Sequence, residues 1–343
     1  MAADALAGLR DRELSPALDL YGAGLAEEAG WVHALTQEMT KAIARMRPRA
    51  VLAHSLRWGD EAALGEAAQA QATPCILASH GSHACQDGGA AASSVEANAD
   101  GLLTSPFASL VIAQSPHAER LAQRMTPETP RLRLRPVMWG HARPTEAKRA
   151  EGPFHFLHAG TFKRLTGPRP FLYETADEYV AGLAQLVAAI AGLKDVTLTI
   201  RVRNSPECSV QSLEALLPEA ANVTIKSDGA FVDDLARADA LVSFASTTTE
   251  EALAMRRPVL LWGGTQRYRH LPASDSPPSP EHRAAVYAPP SAAELPGFLA
   301  AIKQAHGKAR LSDAELADHV WPDGTPGVEG LRQAILAGER AAS

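Results

Sequence analysis

Between Glu27 and Met46 the apolar residues Trp31, Ala34, Leu35, Met39, Ala42, Ile43 and Met46 recur at helical spacing, which predicts a helix over that stretch. Arg49 to Ser55 (RAVLAHS) is a short apolar run that reads as a strand, and a second helix is predicted around Asp60 to Ala72. Pro74 to Ser79 (PCILAS) and Leu110 to Gln114 (LVIAQ) read as two further strands, the latter followed by a helix from about Pro116. Short apolar strands alternating with helices are the mark of a parallel sheet built from βαβ units. Three strands fall short of the usual sheet of about five or six. Either a unit is absent from this half, or a strand hides in Ala17 to Leu20.

The pattern breaks between Arg135 and Pro153, where Pro136, Gly140, Pro144, Gly152 and Pro153 punctuate a charged, aperiodic stretch that reads as an interdomain linker. A second alternating series follows. Strands are predicted at Phe154 to Ala159 (FHFLHA), Val196 to Val202, Val223 to Lys226, Ala240 to Phe244 (ALVSF) and Pro258 to Trp262 (PVLLW). Helices are predicted at Thr175 to Leu193, around Leu235 to Ala238, at Thr248 to Met255 and at Ala292 to Ala305, whereas the Pro- and Ser-rich Pro272 to Pro290 reads as a loop. The expected division is a first Rossmann-like domain over 1–143, a second over 144–310, and a helical tail over 311–343 that is free to pack back on the first domain.

Composition narrows the class. The 343 residues carry 33 Lys+Arg against 39 Asp+Glu, a formal net charge of −6, and no basic run of the kind a nucleic-acid backbone attracts. Charged residues at 21% and apolar ones at 46% are a globular balance. No stretch approaches the length of a membrane span, and the first thirty residues show no apolar secretory core. Cys75, Cys85 and Cys208 are odd in number and lack CxxC spacing, so a disulfide framework is not expected and the cytoplasm is the expected compartment.

Ligands of open parallel sheets bind beyond the carboxyl ends of the strands, where helix N-termini present unpaired amides. After ALVSF comes Ser246-Thr247-Thr248-Thr249-Glu250-Glu251, whose hydroxyls and amides at a helix start suit a phosphate, with Glu250 or Glu251 one turn in to accept from ribose hydroxyls. The same residues also make a plain S/T-x-x-E capping box. FHFLHA runs into Gly160-Thr161-Phe162-Lys163-Arg164, placing two cations past a strand end, where they could equally be solvated charges. Arg201 and Arg203 share one face at the end of their strand; the planar guanidinium fork suits phosphate or carboxylate, and the alternative is a salt bridge to Glu207 or Glu214. In the first half, PCILAS ends in His80-Gly81-Ser82-His83. His80 is a candidate base for an acceptor hydroxyl. His80, His83 and Cys85 could alternatively contribute to a metal site, and His80 could be a plain loop histidine. Asp60 lies past another strand end, as a helix N-cap or a catalytic carboxylate, and Asp87, Glu96 and Asp100 are further acids nearby.

The stretch ARADALVSFASTTTEEALAMRRPVLLWG resembles the donor-site segment of GT-B fold glycosyltransferases, with Asp239, Glu251, Ala252, Pro258 and Val259 at matching positions. The resemblance implies that Ser246 to Thr249 hold the donor phosphate and Glu251 the ribose, with Lys163 and Arg164 on the phosphates as well. Many retaining members carry another Glu eight residues before this one, where this chain has Ser243. The His80-Gly81 pair is similar to the HG after a first-domain strand in capsule and teichoic-acid type transferases, and ETADEY (Glu174 to Tyr179) resembles surface-polysaccharide enzymes, including Kdo transferases with a CMP-linked donor.

No GxxxxGK[ST], GxGxxG after a strand, HExxH or GxSxG occurs, which argues against P-loop, dehydrogenase, zincin and α/β-hydrolase readings. The expectation is an α/β protein of two Rossmann-like domains, their parallel sheets facing across a cleft in the GT-B manner. The resemblance implies a glycosyltransferase of bacterial surface-polysaccharide synthesis, expected to move a sugar from a CMP- or UDP-linked donor to a glycan or lipid-linked acceptor. His80 or Asp60 is the expected catalytic group. No cofactor, metal or nucleic acid is expected, and association with the inner membrane or a biosynthetic complex is compatible with the acceptor. A sugar-nucleotide 2-epimerase, a CDP-polyol phosphotransferase of similar fold and a catalytically inactive partner subunit are the alternatives.

Overall fold

The structure is a computed structural model that describes residues 15–57, 59–79, 81, 89–136, 152–160, 174–203, 208–263 and 268–337. The chain begins with α1 (Ser15–Met46), then runs β1 (Val51–Ala53), α2 (Gly59–Ala70), β2 (Cys75–Leu77), α3 (Gly89–Ala99), β3 (Leu110–Ala113), α4 (Pro116–Met125) and β4 (Arg131–Arg133). The four strands form one parallel sheet in the order β1-β2-β3-β4. No strand hides in Ala17 to Leu20, which lie inside α1, and the fourth strand is instead β4. Its sequence, Arg-Leu-Arg at a sheet edge, has too few apolar residues to show a period.

Each crossover in this sheet steps to the next strand in the same direction, so right-handed connections place α2, α3 and α4 on one face. Side chains alternate between faces along each strand. Cys75, Leu77 and Val111 pack with Ile43 of α1 and with Ala67 and Ala68 of α2. Ile76, Ala78 and Ile112 face the other way, and there Leu134 and Leu331 of the C-terminal helix close the layer. The tail therefore supplies the second cover of the first sheet. Trp321 Nε1 donates to the Ala113 carbonyl at 2.8 Å, and the Arg133 guanidinium lies 5.1 Å from the Trp321 ring centroid.

The second sheet contains β5 (Phe154–Ala159), β6 (Val196–Arg201), β7 (Val223–Lys226), β8 (Ala240–Ser243), β9 (Val259–Leu261) and β10 (Val286–Tyr287). All pairings are parallel, in the order β10-β9-β8-β5-β6-β7. The two-residue β10 lies within the Pro- and Ser-rich segment that reads as a loop; it pairs with β9 while too short to carry a pattern of its own. The helices are α5 (Ala176–Ala191), α6 (Val210–Leu216), α7 (Phe231–Arg237), α8 (Thr248–Ala254), α9 (Leu295–His306), α10 (Asp313–Leu316) and α11 (Val328–Ala337). One face of the sheet packs Leu183, Leu186 and Ile190 of α5 with Phe298 and Ile302 of α9, and the other packs Leu235 of α7 with Leu253 of α8. Both faces are buried, so these strands are near-continuous apolar runs. Among the described residues no helix is long and apolar enough to cross a membrane.

The chain enters this sheet at β5, builds outward to β7, then returns beside β5 with β8. The strand order reverses between β5 and β8, and a doubly wound sheet opens its crevice at the carboxyl ends of such a pair. Ser243 Oγ donates to the Ala159 carbonyl at 2.6 Å across that point.

Candidate functional site

The reversal point is followed on one side by Gly160 and on the other by the start of α8. Thr247 is the N-cap of α8, with no side-chain capping bond, so the expected capping box is not formed through Thr247. The hydroxyls divide by role. Thr249 Oγ1 donates to the Ser246 carbonyl at 2.8 Å and is buried, while Ser246, Thr247 and Thr248 are half-buried. Thr248 Oγ1 lies out of solvent with no hydrogen-bond partner among the described residues. A buried hydroxyl left without a hydrogen bond costs about 1–3 kcal/mol, which a ligand oxygen placed there would relieve.

The two adjacent acids also separate. Glu250 is 7% exposed and turned inward, whereas Glu251 is half-buried. Glu250 Oε1 stands 3.8 Å from Nε2 of His270, which is itself 4% exposed. Tyr268 Oη is 3.4 Å from His270 Nδ1. Burial pushes the His270 imidazole down to about 4, so the ring is neutral near pH 7.

The first domain meets this helix start directly. A Cβ on Gly81 would lie 2.6 Å from Thr247 Cγ2 and 3.9 Å from Glu250 Oε2. Ser79 Oγ braces that turn, donating to the Gly81 carbonyl at 2.8 Å and accepting from its amide at 3.2 Å. Gln114 Nε2 donates to the Ser79 carbonyl. Behind the polar contact, Phe244 and Tyr268 pack with Val95, Ala99, Leu103 and Leu121 of the first domain. The carboxyl ends of both sheets thus converge on Thr247 and Glu250. Only glycine fits at 81, and Gly81→Ala should cost about 1–3 kcal/mol as the two loops part. Chemical denaturation checks this, and an unchanged midpoint would mean that the loops do not touch in solution.

The remaining sequence candidates fall as follows. His80, Lys163 and Arg164 lie outside the described residues, as do His83, Cys85 and Asp87. Asp60 is exposed in the first turn of α2, where its charge complements the helix dipole. Arg203 is exposed just past the end of β6. Arg201 is committed elsewhere: it pairs with Asp234 and donates to the carbonyls of Asp228 (2.8 Å) and Gly229. An ion pair, the alternative foreseen for it, is formed with Asp234 of α7, and Glu207 lies outside the described residues. Asp239 has a structural task, its carboxylate accepting from the His155 amide at 2.8 Å at the start of β5. Ser243 is fully buried between strands. Among the described residues no three His, Cys, Asp or Glu side chains gather as metal ligands.

His270, Tyr268 and Ser79 were not singled out by the sequence. The signal was available for His270, since the segment after PVLLW leads to it. A histidine in a loop of charged residues nonetheless carries no period that marks it as buried.

The fold is of the GT-B type, with two parallel α/β sheets meeting at their carboxyl ends. The chain matches a candidate UDP-N-acetylglucosamine 2-epimerase from Listeria monocytogenes at 12% identity, over 92% of this chain and 80% of that one, with a TM-score of 0.56. It matches the UDP-GlcNAc 2-epimerase of Neisseria meningitidis, solved bound to UDP-GlcNAc, at 13% identity over 89% and 81% of the two chains, with a TM-score of 0.54. MurG of Acinetobacter baumannii aligns at 15% identity over 88% and 77%, with a TM-score of 0.50. These likenesses are likenesses of fold. No protein-family model and no curated protein sequence matches the chain.

Proposed function

We propose that the protein is a nucleotide-sugar-dependent glycosyltransferase, with the donor at the β5–β8 crevice and the acceptor entering from the His80-Gly81 side. The observation that carries this reading is the buried Thr248 hydroxyl, without a partner among the described residues, at a helix start where the carboxyl ends of both sheets converge. A helix start and a hydroxyl there stabilise a departing nucleotide phosphate, the electrostatic contribution that dominates such transfers. Lys163 and Arg164 follow Gly160 in sequence and would add positive charge to the same phosphates. Glu251, more exposed than Glu250, is the ribose ligand in this reading. Ser246 and Thr247 line the approach, and Arg203 is the cation at the rim. Arg201 is structural. The donor is UDP- or CMP-linked, and a bacterial surface polysaccharide or its lipid-linked precursor, of the capsule, lipopolysaccharide or Kdo class, is the acceptor.

A 2-epimerase is the second reading, favoured by the two fold likenesses to UDP-GlcNAc 2-epimerases. It would act on the nucleotide sugar alone.

Thermal shifts with CMP, CDP, UDP and GDP test the site. At about 100 times its dissociation constant a nucleotide adds about 2.7 kcal/mol to the native state, which raises the melting temperature by about 5 °C. The expected result is stabilisation by one of the four that disappears in the Thr248→Ala, Glu251→Ala double variant. No response from a folded sample would overturn the nucleotide-sugar reading. A product formed from UDP-GlcNAc without acceptor would select the epimerase, and tight binding without any turnover would select an inactive partner subunit.

A further inference from the structure

The seven residues of α8, at about 1.5 Å each, put its two ends about 10 Å apart. At the end away from Thr248, Leu253, Ala254 and Arg256 border a cavity of about 270 Å³ that the donor site does not use. Its walls come from all three parts of the chain: Pro116 from the first domain, Leu253 from the second, and Leu316, Val320 and Trp321 from the tail. Leu253 and Leu316 belong to one buried cluster with Val320 packed against it, so the cavity lies where that core ends. Trp321 is fixed by its bond to the Ala113 carbonyl at 2.8 Å. A dry cavity of about 150 Å³ holds one benzene ring, so this one has room for about two fused rings beside Trp321 and Pro116.

The charged residues of the wall are Arg256, Asp313 and Asp323, one negative charge in excess. The Arg256 guanidinium is committed: Nη1 donates to the Leu311 carbonyl at 3.0 Å and Nη2 to Asp313 Oδ1. Asp323, by contrast, stands 3.5 Å from Arg256 Nη2 and 4.0 Å from Arg135 Nη1 and hydrogen-bonds to neither, with its side chain 75% exposed. An anion entering here would meet the surplus of acid. An ammonium gains a charge-assisted bond to Asp323 and leaves the Arg256–Asp313 pair intact. We infer that this cavity is a binding site for a small apolar amine, whose aromatic body enters between the two domains and the tail and whose protonated nitrogen pairs with Asp323 at the rim. Such a ligand touches the first domain, the second domain and the tail at once, so its binding stabilises their packed arrangement. The site is separate from the donor crevice and does not depend on the glycosyl-transfer reading.

The test titrates the full chain with tryptamine, a two-ring amine that is protonated near pH 7, by calorimetry, with indole-3-propionate as an anion of similar shape. Wild type, Asp323→Asn and Ala317→Phe are compared. Ala317 lines the cavity and is exposed, so a phenyl ring there fills the space from its open side. Expected is one tryptamine per chain with a dissociation constant below about 1 mM, ordinary for a ligand of this size. Indole-3-propionate should bind at least about tenfold more weakly, and Asp323→Asn should weaken tryptamine about threefold to fivefold, the worth of a partly exposed ion pair. Ala317→Phe should abolish binding. Melting curves check that both variants are folded, and Asp323→Asn, changed at an exposed side chain, keeps the test decisive should the bulkier variant unfold. No tryptamine binding at about 5 mM overturns the inference. So does equal affinity for the two indoles, an Asp323→Asn affinity equal to the wild type, or binding that survives in folded Ala317→Phe.

Discussion

Acidification from pH 7 to pH 5 should unfold the protein. Burial pushes His158, His270, His306 and His319 down to about 4, and His117 well below the usual histidine range. In the unfolded chain the same rings take up protons near the ordinary value of about 6.5. Between these limits the unfolded state binds more protons, so stability falls as the pH falls. It is complete above about pH 6.5. Each ring contributes a slope of up to about 1.4 kcal/mol per pH unit, and five of them up to about 7, against a total stability of about 5–15 kcal/mol. The carboxyls of Asp234 and Glu315 are held below their usual range, so they withdraw stability only at lower pH and steepen the final loss. The measurement is the melting temperature from pH 8 to pH 4. A flat region above pH 7 followed by a steep decline is expected, and equal values at pH 5 and pH 7.5 would refute it. A His319→Gln variant should show a shallower decline, by the share of one proton.

The second large effect lies at Asp234. This carboxylate is 5% exposed and holds three cations: Arg201, Lys226 at 2.9 Å and Arg237 at 2.5 Å. Burial alone would raise its pKa, and the hydrogen bonds from Lys226, Arg201 and Arg237 together outweigh that and lower it. Asp234→Ala leaves Arg201, whose side chain is 15% exposed, facing Lys226 with no acid between them. Breaking a buried pair from one side costs about 3–5 kcal/mol. In a protein of this size that lowers the melting temperature by about 4–7 °C. A loss under about 1 kcal/mol in chemical denaturation would show that the cluster is hydrated in solution. The companion Arg201→Lys separates the two roles of that arginine. A fall in stability with unchanged nucleotide affinity marks it as structural, and the reverse marks it as a phosphate ligand.

The strands FHFLHA and ALVSF were legible because both faces of the second sheet are covered, so burial writes a continuous apolar run into the sequence. Helix α8 was legible from its Ser/Thr start and its position after a strand. The full extent of α1 was not, since its described residues are mostly exposed and Trp31 is 53% exposed. An exposed helix needs no apolar stripe. The fourth strand, Arg131–Arg133, was hidden for a similar reason: half-exposed at a sheet edge, it takes its conformation from backbone pairing with β3.

The sequence by itself determined that the chain makes two runs of parallel βα units, and that hydroxyls and acids follow the strand that becomes β8. These are local properties, set by spacing within one element and its immediate flank. Tertiary structure alone decided which of two adjacent glutamates turns in to His270 and which stays half-buried. It also decided that Arg201 is spent on an acid 33 residues away, and that the tail covers the first sheet. Each of those outcomes depends on contacts between elements far apart in the chain. A residue's chemistry shows in its own position, but its partner is chosen only when packing brings the elements together.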